Sequence, residues 1–192
     1  MLAEWADELS LFFYQTQRYQ YPWLGAIGLL WVINLLDWFA GLHLDRFGTI
    51  PRRRRGLIGI LVSPIVHQNF NHLFFNTIPL YVFGLILLAR GVTEFVQVTL
   101  FIVLGSGVLV WLLARRARHI GASGVISGYF GYILITAYFQ PNITMIFVGI
   151  MVMYYFGGIF LGLFPRCEKT SWESHLYGFI SGLCVAGYWY LH

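Results

Sequence analysis

An all-α membrane protein folded as one helical bundle is predicted by three observations. Charged residues make up 10% of the 192-residue chain, where soluble domains carry about 25%. Hydrophobic residues reach 58% and aromatic ones 19%. Six apolar stretches, near 23–42, 72–90, 96–114, 123–139, 143–164 and 173–191, each approach the ~20 residues that cross about 30 Å of hydrocarbon. The chain shows no internal repeat and no low-complexity linker, and its length leaves no room for a second domain. The net charge of +4 is not a nucleic-acid signal, because the basic residues sit in short loops between apolar spans.

Residues 1–22 read as an N-terminal interfacial helix and 23–192 as the bundle. Trp5, Leu9, Phe12 and Phe13 recur at helical spacing with Glu4, Asp7 and Glu8 opposite, the pattern of a helix lying in the membrane surface. Those acids stand where a signal peptide would be basic. The first span carries Asn34 and Asp37 towards its end, placed for a polar contact between helices or at the interface. The long loop from His43 to Asn71 holds the run Arg52 to Arg55, read as a headgroup-facing anchor. Gly56 to Val62 follows, too short to cross the bilayer and read as a partly inserted segment that Pro64 ends.

The second span opens with His72 and Asn76, four apart and therefore on one face of a helix. Two side-chain donors so placed suit an oxyanion hole. The fourth span opens with Gly121-Ala122-Ser123-Gly124, at the mouth of the shortest apolar stretch. A serine at a helix N-terminus meets unpaired backbone N–H groups and the positive end of the dipole. Small residues then mark packing faces: Gly124, Gly128 and Gly131 on the fourth span, and Ser174, Gly178, Gly182 and Ala186 on the sixth. Such spacing lets helix backbones approach closely in lipid, so these two spans are expected to touch. That contact would bring His175 to the end of the bundle where Ser123 lies. A serine needs a base within hydrogen-bond reach to become a nucleophile, and His175 is the candidate.

No acid is placed to orient that histidine as a triad would require. Glu173 lies two residues away and points elsewhere on a helix. Cys184 falls inside the last span and Cys167 in the loop before it, so a disulfide between them is not expected. His67, His72, His119 and His175 supply enough donors for a metal or haem, but their spacing fits no ligand motif, and no metal is expected.

Together, His-x-x-x-Asn opening span two, Gly-x-Ser-Gly opening span four and a histidine in span six resemble the rhomboid family of intramembrane serine proteases. The resemblance covers nearly the whole chain. It implies a six-transmembrane-helix rhomboid-like bundle with a partly inserted first loop. It also implies serine endopeptidase activity on the transmembrane segments of membrane-protein substrates, in a lipid bilayer and with no cofactor. Ser123 would be the nucleophile and His175 the base. His72, Asn76 and the Ser123 N–H would form the oxyanion hole, with Gly121 giving the tight approach and Gly124 the helix contact. His67 would be a structural histidine holding the long loop. Two departures stand out. Ser127 occupies the position of an aromatic that stacks on the catalytic histidine in well-known rhomboids, and Phe130, one turn further on the same face, is the expected substitute. The Trp-Arg pair often found in the family's first loop is absent. The alternative within the family is a catalytically inactive relative that binds transmembrane helices.

Orientation draws opposite expectations. Arg46, Arg52 to Arg55, Arg115, Arg116, Arg118, Arg166 and Lys169 lie in the loops nearest the site, against Arg18 and Arg90 on the other side. The positive-inside rule puts the first set in the cytoplasm. The resemblance implies a bacterial inner-membrane protein with both termini cytoplasmic and the site on the opposite face.

Overall fold

The computed structural model describes residues 2–165 and 171–191. Among the described residues seven helices follow in order: α1 (Leu2–Ala40), α2 (Gly59–Val62), α3 (Phe70–Arg90), α4 (Val92–Leu113), α5 (Ser123–Phe139), α6 (Ile143–Phe156) and α7 (Trp172–Leu191). Short 3-10 turns lie at Leu44–Phe47 and Arg54–Gly56, and another, Gly157–Leu163, continues from α6. Among the described residues four helical stretches suffice by length and composition to cross a membrane, namely Ala3–Ala40, Phe70–Arg90, Val92–Leu113 and Ile143–Leu163. The apolar α5 is shorter, as its sequence requires.

The expected boundary at 22 does not interrupt the chain, because α1 runs unbroken through Pro22. A proline costs a helix one i→i−4 bond. Here the next residue holds the axis in place. The Trp23 indole N–H donates to Tyr81 O at 3.2 Å, and Gly84 of α3 leaves room for its ring. Two turns on, Trp31 Nε1 donates to Thr77 Oγ1 at 3.0 Å. Asn34 then ties α1 to the first loop: its Oδ1 accepts from His67 N at 2.7 Å and its Nδ2 donates to Ile65 O at 2.9 Å. Asp37 Oδ1 accepts from Leu44 N at 2.8 Å. Both polar residues of the first span thus serve the packing of the loop.

At the centre lies α5, whose residues from Gly124 to Ile133 are all buried. A helix apolar on every side belongs inside a bundle. Its neighbours carry the lipid-type surface: Leu29, Phe39, Phe75, Leu113, Tyr154 and Phe147 are all exposed. The contact expected from the small residues is present. A methyl group at Gly178 would collide with the carbonyl of Gly124, and one at Gly182 with the carbonyl of Gly128. From the other side, a Cβ on Gly128 would lie 3.0 Å from Gly178 O. The two backbones touch over two turns, which only glycine on both partners permits.

The stretch from Gly56 to Val62 holds the end of a 3-10 turn and the single helical turn α2. Gly59 and Ile60 are buried, and Ile60 reaches Gly107 of α4.

Candidate active site

Ser123 is the first residue of α5. Its N–H is therefore one that no carbonyl of the same helix can reach. The turn before it is fixed from three sides. Gly121, with φ +109°, donates its N–H to Ser63 O at 2.8 Å. Positive φ here favours glycine. The Ala122 N–H donates to His67 Nε2 at 3.2 Å, so a side chain from the first loop caps α5. His119, four residues before the serine, pairs with Thr49 through two backbone hydrogen bonds of 3.0 and 2.9 Å.

His67 is fully enclosed and its other ring nitrogen, Nδ1, faces Ile65 O at 3.2 Å. The ring accepts at Nε2 and donates at Nδ1, so it is neutral. Burial, with His72 beside it, pushes its pKa down to about 4. Burial also lowers the pKa of His119. The His119 ring meets Ser171 Oγ and Ser174 Oγ on one side and Arg115 O at 3.2 Å on the other. Beside it, buried Glu173 pairs with Arg115 at 3.2 Å. These contacts fasten the loop before α5 to the start of α7.

His175 lies in the first turn of α7, one residue beyond that fastening. A Cβ on Gly124 would lie 3.1 Å from Ser174 O, so the neighbour of Ser123 touches the neighbour of His175. His175 Nδ1 donates to Gly162 O at 3.1 Å, which fixes the ring and leaves Nε2 as the free nitrogen. Ser123 and His175 themselves are half-buried and not hydrogen-bonded to each other. Nucleophile–base bonds are often long before a substrate arrives.

His72 and Asn76 share the face of α3 turned to the Gly121 turn. A Cβ on Gly121 would lie 2.5 Å from His72 Cε1, 2.6 Å from its Nε2 and 3.6 Å from Asn76 Nδ2. That Asn76 donor is buried and has no partner. An orphan donor in such a place is uncommon. The α3 start is set by Asn69, whose Oδ1 accepts from His72 N at 2.9 Å.

Phe130 does not cover His175. Its ring packs against Phe83, Phe160 and Phe179 in the core, because three residues of helix from Ser127 turn it towards α3 and the segment after α6. Ser127 is buried in α5, and among the described residues no aromatic ring pairs with His175. Among the described residues, no three His, Cys, Asp or Glu side chains gather as a metal site would require. Cys184 is a free, exposed thiol, while Cys167, Arg166 and Lys169 lie outside the described residues.

Three contributors to the site escape a reading of the sequence. Gly162, Ser63 and Ser171 act through contacts between distant parts of the chain, and nothing local marks them. Gly162 has the clearest structural reason: a Cβ there would sit 2.7 Å from His175 Nδ1.

The arrangement is that of an all-helical integral membrane protein with serine, histidine and amide groups gathered at one end of the bundle. Residues 54–191 match the family model of the Rhomboid domain. Uncharacterized proteins of Mycobacterium bovis and Mycobacterium tuberculosis are each 35% identical over 169 residues, covering 83% of this chain and 70% of theirs. One of Mycobacterium leprae is 34% identical, covering 83% of this chain and 67% of its own. The chain belongs to the rhomboid family, which consists largely of intramembrane serine proteases and includes inactive members.

Proposed function

We propose that this protein is an intramembrane serine endopeptidase that cleaves transmembrane segments of membrane-protein substrates. The observation that carries the proposal is the glycine-lined contact of α5 with α7, which sets the neighbours of Ser123 and His175 against each other. In the reaction, Ser123 Oγ attacks the scissile carbonyl and His175 Nε2 takes its proton. The Nδ1–H of His175 stays on Gly162 O, so a backbone carbonyl orients the ring in place of a carboxylate. Negative charge on the carbonyl oxygen is met by Asn76 Nδ2, the His72 ring and the Ser123 N–H. His175 returns the proton to the leaving amine. Water from the loop end of the bundle then hydrolyses the acyl-enzyme, with His175 again the base. The substrate helix reaches the site at the bundle edge past α6, and no cofactor takes part. Six spans and a bacterial inner membrane complete the reading, the latter supported by the mycobacterial relatives.

The test is cleavage of a transmembrane reporter by the purified protein in vesicles, with Ser123→Ala and His175→Ala beside it. Loss of cleavage in both, with fluorophosphonate labelling of the wild type at Ser123, is expected. Full cleavage by either variant would refute the dyad. A wild type that neither cleaves nor labels would be an inactive relative that binds transmembrane helices.

A further inference from the structure

Two loops distant in sequence build a basic pocket at the same end of the bundle as Ser123. It has a volume of about 680 Å³ and is lined by Arg53, Arg54 and Arg55 from the first loop, Arg116 and Arg118 from the third, and Ile50, Pro51 and Ala117. Arg118 pairs with Asp45. Arg53, Arg54, Arg55 and Arg116 are exposed, and no acid among the described residues pairs with them. Unpaired like charges lining one pocket repel, so the cluster favours an anion between them.

The pocket is held in shape by bonds to α4. Arg52 adopts φ +57°, a conformation that is strained for a non-glycine residue. It donates its N–H to Trp111 O at 2.9 Å and its Nη1 to Leu112 O at 2.9 Å. In return, the Trp111 indole donates to Arg53 O at 2.9 Å. The arginines next to this turn are therefore presented by a fixed backbone. Immediately after them come Leu57, Ile58 and Leu61, which are 46, 54 and 57% exposed. Apolar side chains turned outwards beside basic ones match the boundary between headgroups and acyl chains.

We propose that this pocket binds the phosphate of an anionic phospholipid headgroup. Arg54, Arg55 and Arg116 contact the phosphodiester, and Leu57, Ile58 and Leu61 lie along its acyl chains. Guanidinium forks suit phosphate oxygens, and the outward-facing apolar residues favour a lipid over a soluble phosphate. This assignment is independent of the proteolytic reading.

The test uses the full chain in neutral detergent, titrated with phosphatidylglycerol or phosphatidylcholine and read by native mass spectrometry. The wild type is expected to retain phosphatidylglycerol preferentially, and excess inorganic phosphate is expected not to displace it. The triple variant Arg54→Gln, Arg55→Gln, Arg116→Gln should bind phosphatidylglycerol roughly tenfold or more weakly. Arg18→Gln, on α1, should bind as the wild type does. An unchanged melting temperature in the triple variant separates lost binding from lost fold, and a lowered one is met by repeating the titration with Arg116→Gln alone. Equal retention of the two lipids, displacement by inorganic phosphate, or an undiminished preference in the variants would each overturn the proposal.

Discussion

The Nδ1 of His175 donates to the carbonyl oxygen of Gly162 at 3.1 Å, across the gap between α7 and the 3-10 segment that follows α6. The contact settles the ring tautomer: with the proton on Nδ1, Nε2 is the nitrogen able to accept. A backbone carbonyl thus orients the His175 ring.

Replacing that glycine should therefore injure activity more than folding. In Gly162→Ala the new methyl carbon would lie 2.7 Å from His175 Nδ1 and push the ring away. Reporter cleavage should fall about a hundredfold, the size expected for a displacement of about 1 Å at a reacting group. The melting temperature in detergent should hardly move. Wild-type cleavage by this variant would exclude the orienting role.

Asn76 should show the opposite of an ordinary core residue. Its Nδ2 has no hydrogen bond to lose, so Asn76→Leu removes an unsatisfied buried donor. The fold should be unharmed or slightly stabilised. If the amide serves the oxyanion, kcat should still drop by about 10² to 10³. A denaturation midpoint that falls steeply together with activity would assign Asn76 to structure instead.

Where α5 meets α7 the prediction concerns stability. Gly178→Ala and Gly182→Ala each place a methyl against a carbonyl of the facing helix. Backbone cannot yield as a side-chain tip does, and overpacking of this kind costs about 1–3 kcal/mol or more. Both variants should melt lower than the wild type. Gly187→Ala, which meets nothing within 4 Å, is the matched control and should melt no lower.

Acidification should loosen the first loop through His67. The folded ring takes a proton only near pH 4, whereas in the unfolded chain it does so near 6.5. Between those values the unfolded state binds more protons, so stability rises with pH. The contribution is complete above about pH 6.5 and is lost as pH falls towards about 4, amounting to about 3 kcal/mol. Denaturant unfolding at a series of pH values should show this slope. His67→Asn should flatten it in part, because buried His119 titrates in the same direction.

Much of this architecture can be read from residue patterns. Charge content and apolar stretch lengths suffice for the helical bundle, and α5 begins at Ser123 as its sequence suggests. The small-residue faces foretell the α5–α7 contact because helix periodicity carries across to the partner helix. What escapes is whatever depends on loops meeting. The Thr49–His119 pairing, the Ser63 carbonyl beneath Gly121 and the Gly162 carbonyl beneath His175 join segments with no shared periodicity. Phe130 shows the other limit: residue spacing gave it a face, but the aromatic core around Phe83 and Phe179 claimed its ring. The run through Pro22 is a third case, since the Trp23 anchor lies on another helix.

The stretch from Gly157 to Leu163 continues directly from α6. Gly162 therefore belongs mechanically to the outer wall of the bundle, while the histidine it holds belongs to the interior. One hydrogen bond thus latches the His175 imidazole to the lateral boundary of the protein, an interlock between the two.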